Sequence, residues 1–475
     1  LEGLEISEVR FSVLKDNLRV DSEFYNSKIN FGSELYTTKF VDETIIFNKG
    51  IFDIKAEIYN FDGKGVPFVR ISNLKNMKID INNIAFIPVE ENLKNKQTFL
   101  NKNDIILSKT AYPAASLVDL ESCNTSQDTI AVKLKEKSKL NSHYLVVYLN
   151  TKYGMESMKN GFTGNIQSHL NLSLAKQINI PVFGNLQLKI KELFEKSIQL
   201  QEKAKILYSQ AQDILLISLN ISNLKVNIIP ISIKSMKDSF EVTGRLDAEY
   251  YQKKYEEYEK LIYGYTNGYL PMYKACNLKD ENFNPDEKEE FKYIELADIG
   301  NTGDITGCTK AKGADLPTRA RRMVVTNDVI VSSIEGSLTS CAFVSSEYNN
   351  ALCSTGFYII NSDKINSETL LILFKSEPMQ NILKKNCSGT ILTAINKSEF
   401  QNIPVPIIDP KIQTEIKQQI SESFKLKKES ENLLEVAKRA VEIAIEEGEE
   451  KAMEWIEKKN SVVNTRKKSY IKIEL

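Results

Sequence analysis

Histidine is almost missing from this sequence: among 475 residues only His143 and His169 occur. Neither has a cysteine or histidine partner at zinc-ligand spacing, so each reads as an ordinary surface or helix histidine before it reads as a ligand or catalyst. Paired cysteines are missing too. Cys123, Cys276, Cys308, Cys341, Cys353 and Cys387 form no C-x-x-C. No signal-peptide pattern precedes them, which fits reduced thiols in a cytoplasmic protein. The chain opens on Leu1 instead of Met, so a trimmed start is expected. No apolar run is long enough to span a membrane.

Charge of one sign is also not in excess. The chain carries 62 Lys+Arg against 63 Asp+Glu, a formal net charge of −1. A global polycation is excluded, and any nucleic-acid binding must come from positive charge concentrated locally. No phosphate-cradling loop is present: Lys64 lies between Gly63 and Gly65, but the G-x-x-x-x-G-K-[ST] spacing and the following hydroxyl are absent. A turn before a strand is the better reading. NPDEKEEFK, from Asn284 to Lys292, holds acids and a lysine as a nuclease site would. They are crowded into one charge run, which reads as a solvated loop.

What the sequence does contain is itself twice over. LRVDSEFYNSKI (Leu18 to Ile29) returns as GRLDAEYYQKKY (Gly244 to Tyr255), roughly 225 residues later. Arg19, Asp21, Glu23 and Tyr25 recur as Arg245, Asp247, Glu249 and Tyr251. PFVRISNL (Pro67 to Leu74) matches FKYIELADI (Phe291 to Ile299), NDIILS (Asn103 to Ser108) matches NDVIVS (Asn327 to Ser332), and INIPV (Ile178 to Val182) matches QNIPV (Gln401 to Val405). The order is kept and the spacing drifts only slightly, as in a duplicated domain with a connector. Each copy reads as a short strand-like run, a helix after the R-x-D-x-E motif, and then short strands. Asn-Asp punctuates one turn before β-branched residues, and a proline stiffens the last strand.

Each copy ends in a long polar stretch with a helical apolar period. In Asn185 to Leu216, Leu186, Ile190, Leu193, Ser197, Leu200, Ala204, Leu207, Ala211 and Ile214 step by four and three, a heptad seam with one polar slot. In Pro410 to Glu447, Pro410 suits a helix start, and Ile412, Ile416, Ile420, Phe424, Leu434, Ala437, Val441 and Ala444 form a less regular face. The simplest symmetric packing is a pseudo-two-fold with the helices antiparallel. About thirty helical residues span ~45 Å, more than one turn of B-DNA at about 34–36 Å. Such a rod would suit a split DNA site.

The duplicated R-x-D-x-E-F/Y-Y opening, the N-D-I/V-I-L/V-S strand and the I-P-V strand before a helix resemble the specificity subunits of type I restriction–modification systems, over roughly Leu4 to Trp455. The resemblance implies an α+β chain with two α/β target-recognition domains related by internal duplication and separated by two long antiparallel coiled-coil helices. Residues 1–184 and 226–408 would be the recognition domains, 185–225 and 409–460 the helical regions, and 461–475 a tail without assignment. It implies double-stranded DNA as ligand and two adenine-N6 methyltransferase subunits as partners, with an ATP-dependent restriction (motor) subunit as a further one. S-adenosylmethionine, ATP and Mg2+ would be bound by those partners, with no cofactor, metal or catalytic residue in this chain. Accordingly, the Asn/Asp-Pro-Pro-aromatic motif of adenine methyltransferases is absent: Asn284-Pro285 is followed by Asp286.

DNA contacts need Lys, Arg and small polar groups for phosphates, and Arg, Lys, Asn or Gln for base edges, carried on loops of a rigid scaffold. In the first copy Lys109 and Thr110 follow the NDIILS strand. The loop KNGFTGNIQSH offers Lys159, Asn165, Gln167 and Ser168, with an ordinary surface turn as the rival reading. Lys64 and Arg70 flank the VPF strand and are weaker candidates. In the second copy the matching loop offers Lys384, Lys385, Ser388 and Thr390, and Ser337 lies in SSIEGS. TKAKGADLPTRARR, the most basic run, offers Lys310, Lys312, Arg319, Arg321 and Arg322 from an expected loop, although such runs are often solvated faces. Because these stretches differ between copies, the DNA site is expected to be asymmetric. The shared Arg/Asp motifs read instead as architecture, an intradomain ion pair and helix start, or as a methyltransferase contact. Two rival functions stay open: a coiled-coil scaffold without DNA readout, and a diverged single-chain DNA-modifying enzyme.

Overall fold

The computed structural model describes residues 35–52, 54–55, 57–75, 77–110, 112–163, 169–221, 231–389 and 393–459. The chain is α+β and forms two compact units. Unit 1 comprises Leu1–Gln199 with Glu429–Leu475, and unit 2 comprises Leu200–Lys428.

Unit 1 has two four-stranded sheets. One runs in the order Thr44–Lys49, Thr129–Leu134, Ile105–Ser108, Ala115–Leu117; the other runs Ala85–Ile87, Val66–Val69, Ser122–Thr125, Leu100–Asn101. Unit 2 repeats both orders. Its sheets run Asn277–Lys279, Phe357–Asn361, Val329–Ser332, Cys341–Phe343 and Thr309–Lys312, Glu290–Ile294, Leu352–Ser354, Ala320–Met323. In each unit one pair of the second sheet is parallel, Val69 beside Thr125 and Ile294 beside Cys353. Two short helices then cover the first sheet, Ser142–Leu149 and Lys152–Lys159 in unit 1, Ser367–Lys375 and Glu377–Lys385 in unit 2.

The duplicated Asn-Asp pair shows why such short strings recur. Asn103 and Asn327 adopt φ of 71° and 72°, a left-handed turn that asparagine tolerates better than most residues. The next residue, Asp104 or Asp328, accepts a backbone N–H from three residues before it, at 2.8 and 2.9 Å. Both carboxylates are buried and meet a lysine of the same sheet, Lys133 from the adjacent strand at 3.4 Å and Lys279 from the strand beyond the adjacent one at 2.8 Å. The turn fixes register for the strand that follows, all four of whose residues are buried in both units.

The long helices are Asn185–Ser218 and Pro410–Glu447, with residues 449–459 helical again after Gly448. In unit 1 Glu449 accepts the backbone N–H of Leu186 at 2.7 Å, while Ser197 and Ser430 share a 2.8 Å hydrogen bond. In unit 2 the Ser423 hydroxyl donates to the Ala204 carbonyl at 2.7 Å. Rising positions on one helix meet falling positions on the other, so the segments are antiparallel within each unit. The seam residues Leu186, Ile190, Leu193, Ala204 and Ala211 are buried, and Phe194, Tyr208 and Leu215 widen it into the cores. Ser197 is fully buried in its polar slot.

Each helix is fastened to its own unit by a glutamine that the heptad reading passed over. Gln187 accepts from Asn141 N–H at 2.8 Å and donates to the carbonyls of Lys139 and Phe183. Gln413 accepts from Asn366 N–H at 2.8 Å and donates to Lys364 and Ile408. A second fastening has opposite polarity in the two units. At a tight turn with positive φ, Met77 in unit 1 and Gly303 in unit 2, the next residue faces the helices. Lys78 donates to Ser197 at 2.9 Å and to Ser430 at 3.4 Å. Asp304 accepts from Lys427 at 2.6 Å and from Thr302. Burial pushes the Asp304 carboxyl up, but Lys427 and Thr302 outweigh it and hold the group below its ordinary value.

The opening run of the second copy lies partly outside the described residues, at 222–230; residues 231–239 have no strand, and a short helix, Phe240–Thr243, precedes the R-x-D-x-E motif. One expectation is corrected. The basic run is not one loop, since Thr309–Lys312 and Ala320–Met323 are the two edge strands of a sheet. Among the described residues no helix is long and apolar enough to cross a membrane.

Candidate nucleic-acid interface

In unit 1 several strands end at a common rim. Lys49 closes one strand, and Gly50 N–H bonds to the Thr129 carbonyl at 3.0 Å. A Cβ on Gly50 would lie 2.1 Å from the Ser126 carbonyl, so only glycine lets the backbones meet. Lys109 follows the Ile105–Ser108 strand, its N–H on the Asp128 carbonyl at 2.8 Å. Its carbonyl accepts Leu170 N–H at 2.8 Å, and Thr110 bridges to His169. The hairpin Phe162–Thr163 and His169–Leu170 therefore sits against Lys109 and Thr110. Lys159, exposed at the end of its helix, leads into that hairpin. Arg70 joins the same rim, because Val69 accepts Ser126 N–H at 3.0 Å. Burial, and then the neighbouring Lys49 charge, push the Lys109 ammonium below its ordinary value, with Asp128 pulling the other way. Adjacent cations of this kind favour an anionic partner.

The rim thus gathers Arg70, Lys109, Thr110 and Lys159, whereas Lys64 precedes the Val66–Val69 strand at the end opposite Arg70. Asn165, Gln167 and Ser168 lie outside the described residues, as do Arg19 and Asp21. Arg70 is partly committed, donating to the Asn83 carbonyl at 2.8 Å. Lys64 is exposed and 3.6 Å from Asp62. The sequence reading missed four members of this rim: Lys49, Phe52, Phe61 and Tyr112. Lys49 could have been found as the cation closing its strand. Nothing in the sequence marks the three aromatics as exposed.

The matching rim of unit 2 is built alike and charged differently. Ser333 stands where Lys109 does, its carbonyl accepting Ile395 N–H at 2.8 Å. Glu295 stands where Arg70 does, each capping a short turn with Asp298 or Asn73. Asp280, just past Asn277–Lys279, pairs with Lys397. Ser337 bonds to Ser332 at 2.9 Å and to the Ile334 carbonyl at 3.3 Å, so its hydroxyl shapes the turn and is not free for a base. Ser388 is exposed in its short strand, and Thr390 lies outside the described residues.

Lys385 is corrected from a DNA contact to an internal one. It is 2.6 Å from Glu259, its side chain is 11% exposed, and it lies over the Tyr250 ring. Lys384 is more open, 3.8 Å from Glu249. The basic run is divided: Lys310 and Lys312 are exposed on one edge strand, with Arg319 exposed at the other edge. Arg321 sits at a bulge and bonds to Asn284 at 2.9 Å. Arg322 is half-buried, and its Nε and Nη1 have no hydrogen-bond partner.

The second R-x-D-x-E motif forms the intradomain pair its spacing suggests. Arg245 grips Asp247 through two bonds of 2.8 and 2.6 Å, reaches the Cys387 carbonyl at 2.7 Å, and stacks on Tyr250. The pair holds Asp247 below the ordinary carboxylate range, and the helix Lys253–Tyr263 follows. His143 is buried against Phe194, and burial lowers its basicity. The six cysteines are free thiols, all but Cys308 buried.

No family model matches this chain, and no curated protein matches it. Among solved structures, the type I restriction–modification S subunit from M. genitalium aligns at 13% identity with TM-score 0.41, covering 86% of this chain and 96% of that one. The HsdS subunit from Thermoanaerobacter tengcongensis aligns at 12% identity and TM-score 0.29, covering 88% and 98%. A chain from a study of complex assembly and conformational transition of the type I R-M system aligns at 13% identity and TM-score 0.28, covering 86% and 99%. No residue or role is carried over from these alignments.

Proposed function

We propose that this chain is a DNA sequence-specificity subunit of a type I restriction–modification enzyme. Each unit contributes one recognition domain, and the two together bind a bipartite, asymmetric site in double-stranded DNA. Two adenine-N6 methyltransferase subunits dock on the chain, and an ATP-dependent restriction subunit can join them. Methyl transfer, with any extrusion of the target base, belongs to those partners.

One observation carries the reading: a single strand topology occurs twice in the chain, with shared turns and unlike rims. Two copies of a scaffold that kept their turns but not their rim residues fit two different half-sites. Lys64, Arg70, Lys109, Thr110 and Lys159, with Asn165, Gln167 and Ser168, are the contact set for unit 1. Lys310, Lys312, Arg319, Arg321, Arg322, Lys384, Ser388 and Thr390 are the set for unit 2. The scaffold rival would leave these loops without a common ligand.

The test is single-molecule methylome sequencing of a host expressing the chain with its methyltransferase, against the same host lacking the chain. Loss of one split methyladenine motif is expected. An unchanged methylome, with the methyltransferase present and active, contradicts the reading.

A further inference from the structure

Three large aromatic side chains stand in the open on the unit 1 rim. Phe52 is 69% exposed, Phe61 60% and Tyr112 48%. Single exposed apolar residues need no explanation, but several gathered on one polar rim do. Two of these rings lie under cations: Lys49 is 4.4 Å from the Phe52 centroid, and Arg70 is 5.3 Å from that of Phe61. Tyr112 follows Lys109 and Thr110, and its N–H bonds to the Thr110 carbonyl at 2.8 Å. The core of unit 1 does not use them, because its aromatic positions are filled by Phe40, Phe47, Tyr144 and Tyr148. Among the described residues of unit 2, the exposed large apolar side chains fall between Ile206 and Tyr273.

We propose that the unit 1 rim is a wedge for duplex DNA, with Phe52 and Phe61 entering between base pairs while Lys49, Arg70 and Lys109 hold the flanking phosphates. This rests on the DNA reading above and adds a mode of contact to it. Apolar side chains inserted at a base step unstack and kink a duplex, and cations beside them hold the bent backbone. A nucleic acid offers both things the rim asks for. Its phosphates answer the like-charged Lys49 and Lys109, and its base faces accept aromatic rings regardless of sequence. Gly50 brings the Lys49 strand end against the Ser126 carbonyl, so the stem of the wedge is braced by backbone contacts. Unit 2, with Glu295 and Ser333 at the matching places, reads its half-site without a wedge.

The experiment uses the full chain and a fluorescein-labelled duplex selected by it from a random pool. Affinity is measured over a range of salt, and the bound duplex is treated with permanganate, which oxidises unstacked thymines. The expected result for the double variant Phe52→Leu, Phe61→Leu is an affinity loss of about ten-fold or more, because stacking contacts of this kind are strong. The slope of log affinity against log salt stays as in the wild type, and the permanganate-reactive thymines vanish. Phe52→Trp with Phe61→Trp keeps them. Because both rings are exposed, unfolding midpoints of all variants should match the wild type. A permanganate pattern that is the same in the wild type and the leucine variant overturns the wedge and leaves the DNA reading standing. Absence of duplex binding by the wild-type chain overturns both, and an affinity of this rim for a partner protein alone would then account for the exposed rings.

Discussion

At matching turns, unit 1 sets Lys78 against two buried serines and unit 2 sets Asp304 against Lys427. At matching rims, unit 1 presents Lys49, Arg70 and Lys109, and unit 2 presents Asp280, Glu295 and Ser333. Yet the Asn-Asp turns and the glutamine staples agree almost atom for atom. The difference separates two kinds of constraint. A buried N–H that must find a side-chain acceptor admits few residues and stays the same in both copies, whereas a positive φ alone is met by Met77 in one copy and Gly303 in the other. A polar contact on a face admits any complementary pair, so charge can invert while the fold is kept.

The largest break in this comparison should come from giving unit 2 the polarity of unit 1. Asp304→Lys sets a cation against Lys427 in a mostly buried site, and a loss of about 3 kcal/mol is expected. Adding Lys427→Glu should restore part of it, as read from urea midpoints of the single and double variants. Acid sharpens the same point. The Asp304 carboxyl is held below its ordinary value, so its contribution is intact above about pH 4 and fades as pH falls further. Asp304→Asn should therefore cost stability at neutral pH and show less additional loss in the most acid range.

A smaller effect lies in the rims. Lys49→Ala and Lys109→Ala should each lower the salt slope of DNA binding by about 1 if each holds a phosphate, measured by anisotropy on a duplex selected by the chain. Lys310→Ala and Lys312→Ala test the unit 2 edge strand in the same way. The shared turns should respond equally: Asn103→Ala and Asn327→Ala each cost about 1 kcal/mol, and the glycine substitutions much less. The smallest effect on DNA binding is expected at Lys385. Its charge is held by Glu259 in a mostly buried pair, so Lys385→Ala should lower the unfolding midpoint and leave DNA affinity within about two-fold.

Much of the architecture could be read from the chain, and the reason is periodicity. Leu186, Ile190 and Leu193 repeat at helical spacing whatever surrounds them, and NDIILS and NDVIVS carry their turn and strand within six residues. Placement in three dimensions could not be read. Lys385 looked free because Glu259 lies far from it in sequence. TKAKGADLPTRARR looked like one basic loop because its two ends pair with different strands, which no local pattern announces. Phe52 and Phe61 carried no signal in the sequence, since nothing in their local pattern separates an exposed phenylalanine from a buried one. Ser197 was visible as a polar slot in the seam, but Lys78, the residue that meets it, was not.

The most direct test of two unlike readers in one chain is selection of bound duplexes from a random pool, by the full chain and by rim variants. A split, asymmetric motif is predicted for the wild type. Asn165→Ala with Gln167→Ala, removing side chains suited to base edges, should blur one half of it, and Arg319→Ala with Arg321→Ala the other half. A palindromic motif, or rim variants that blur both halves equally, would contradict the account.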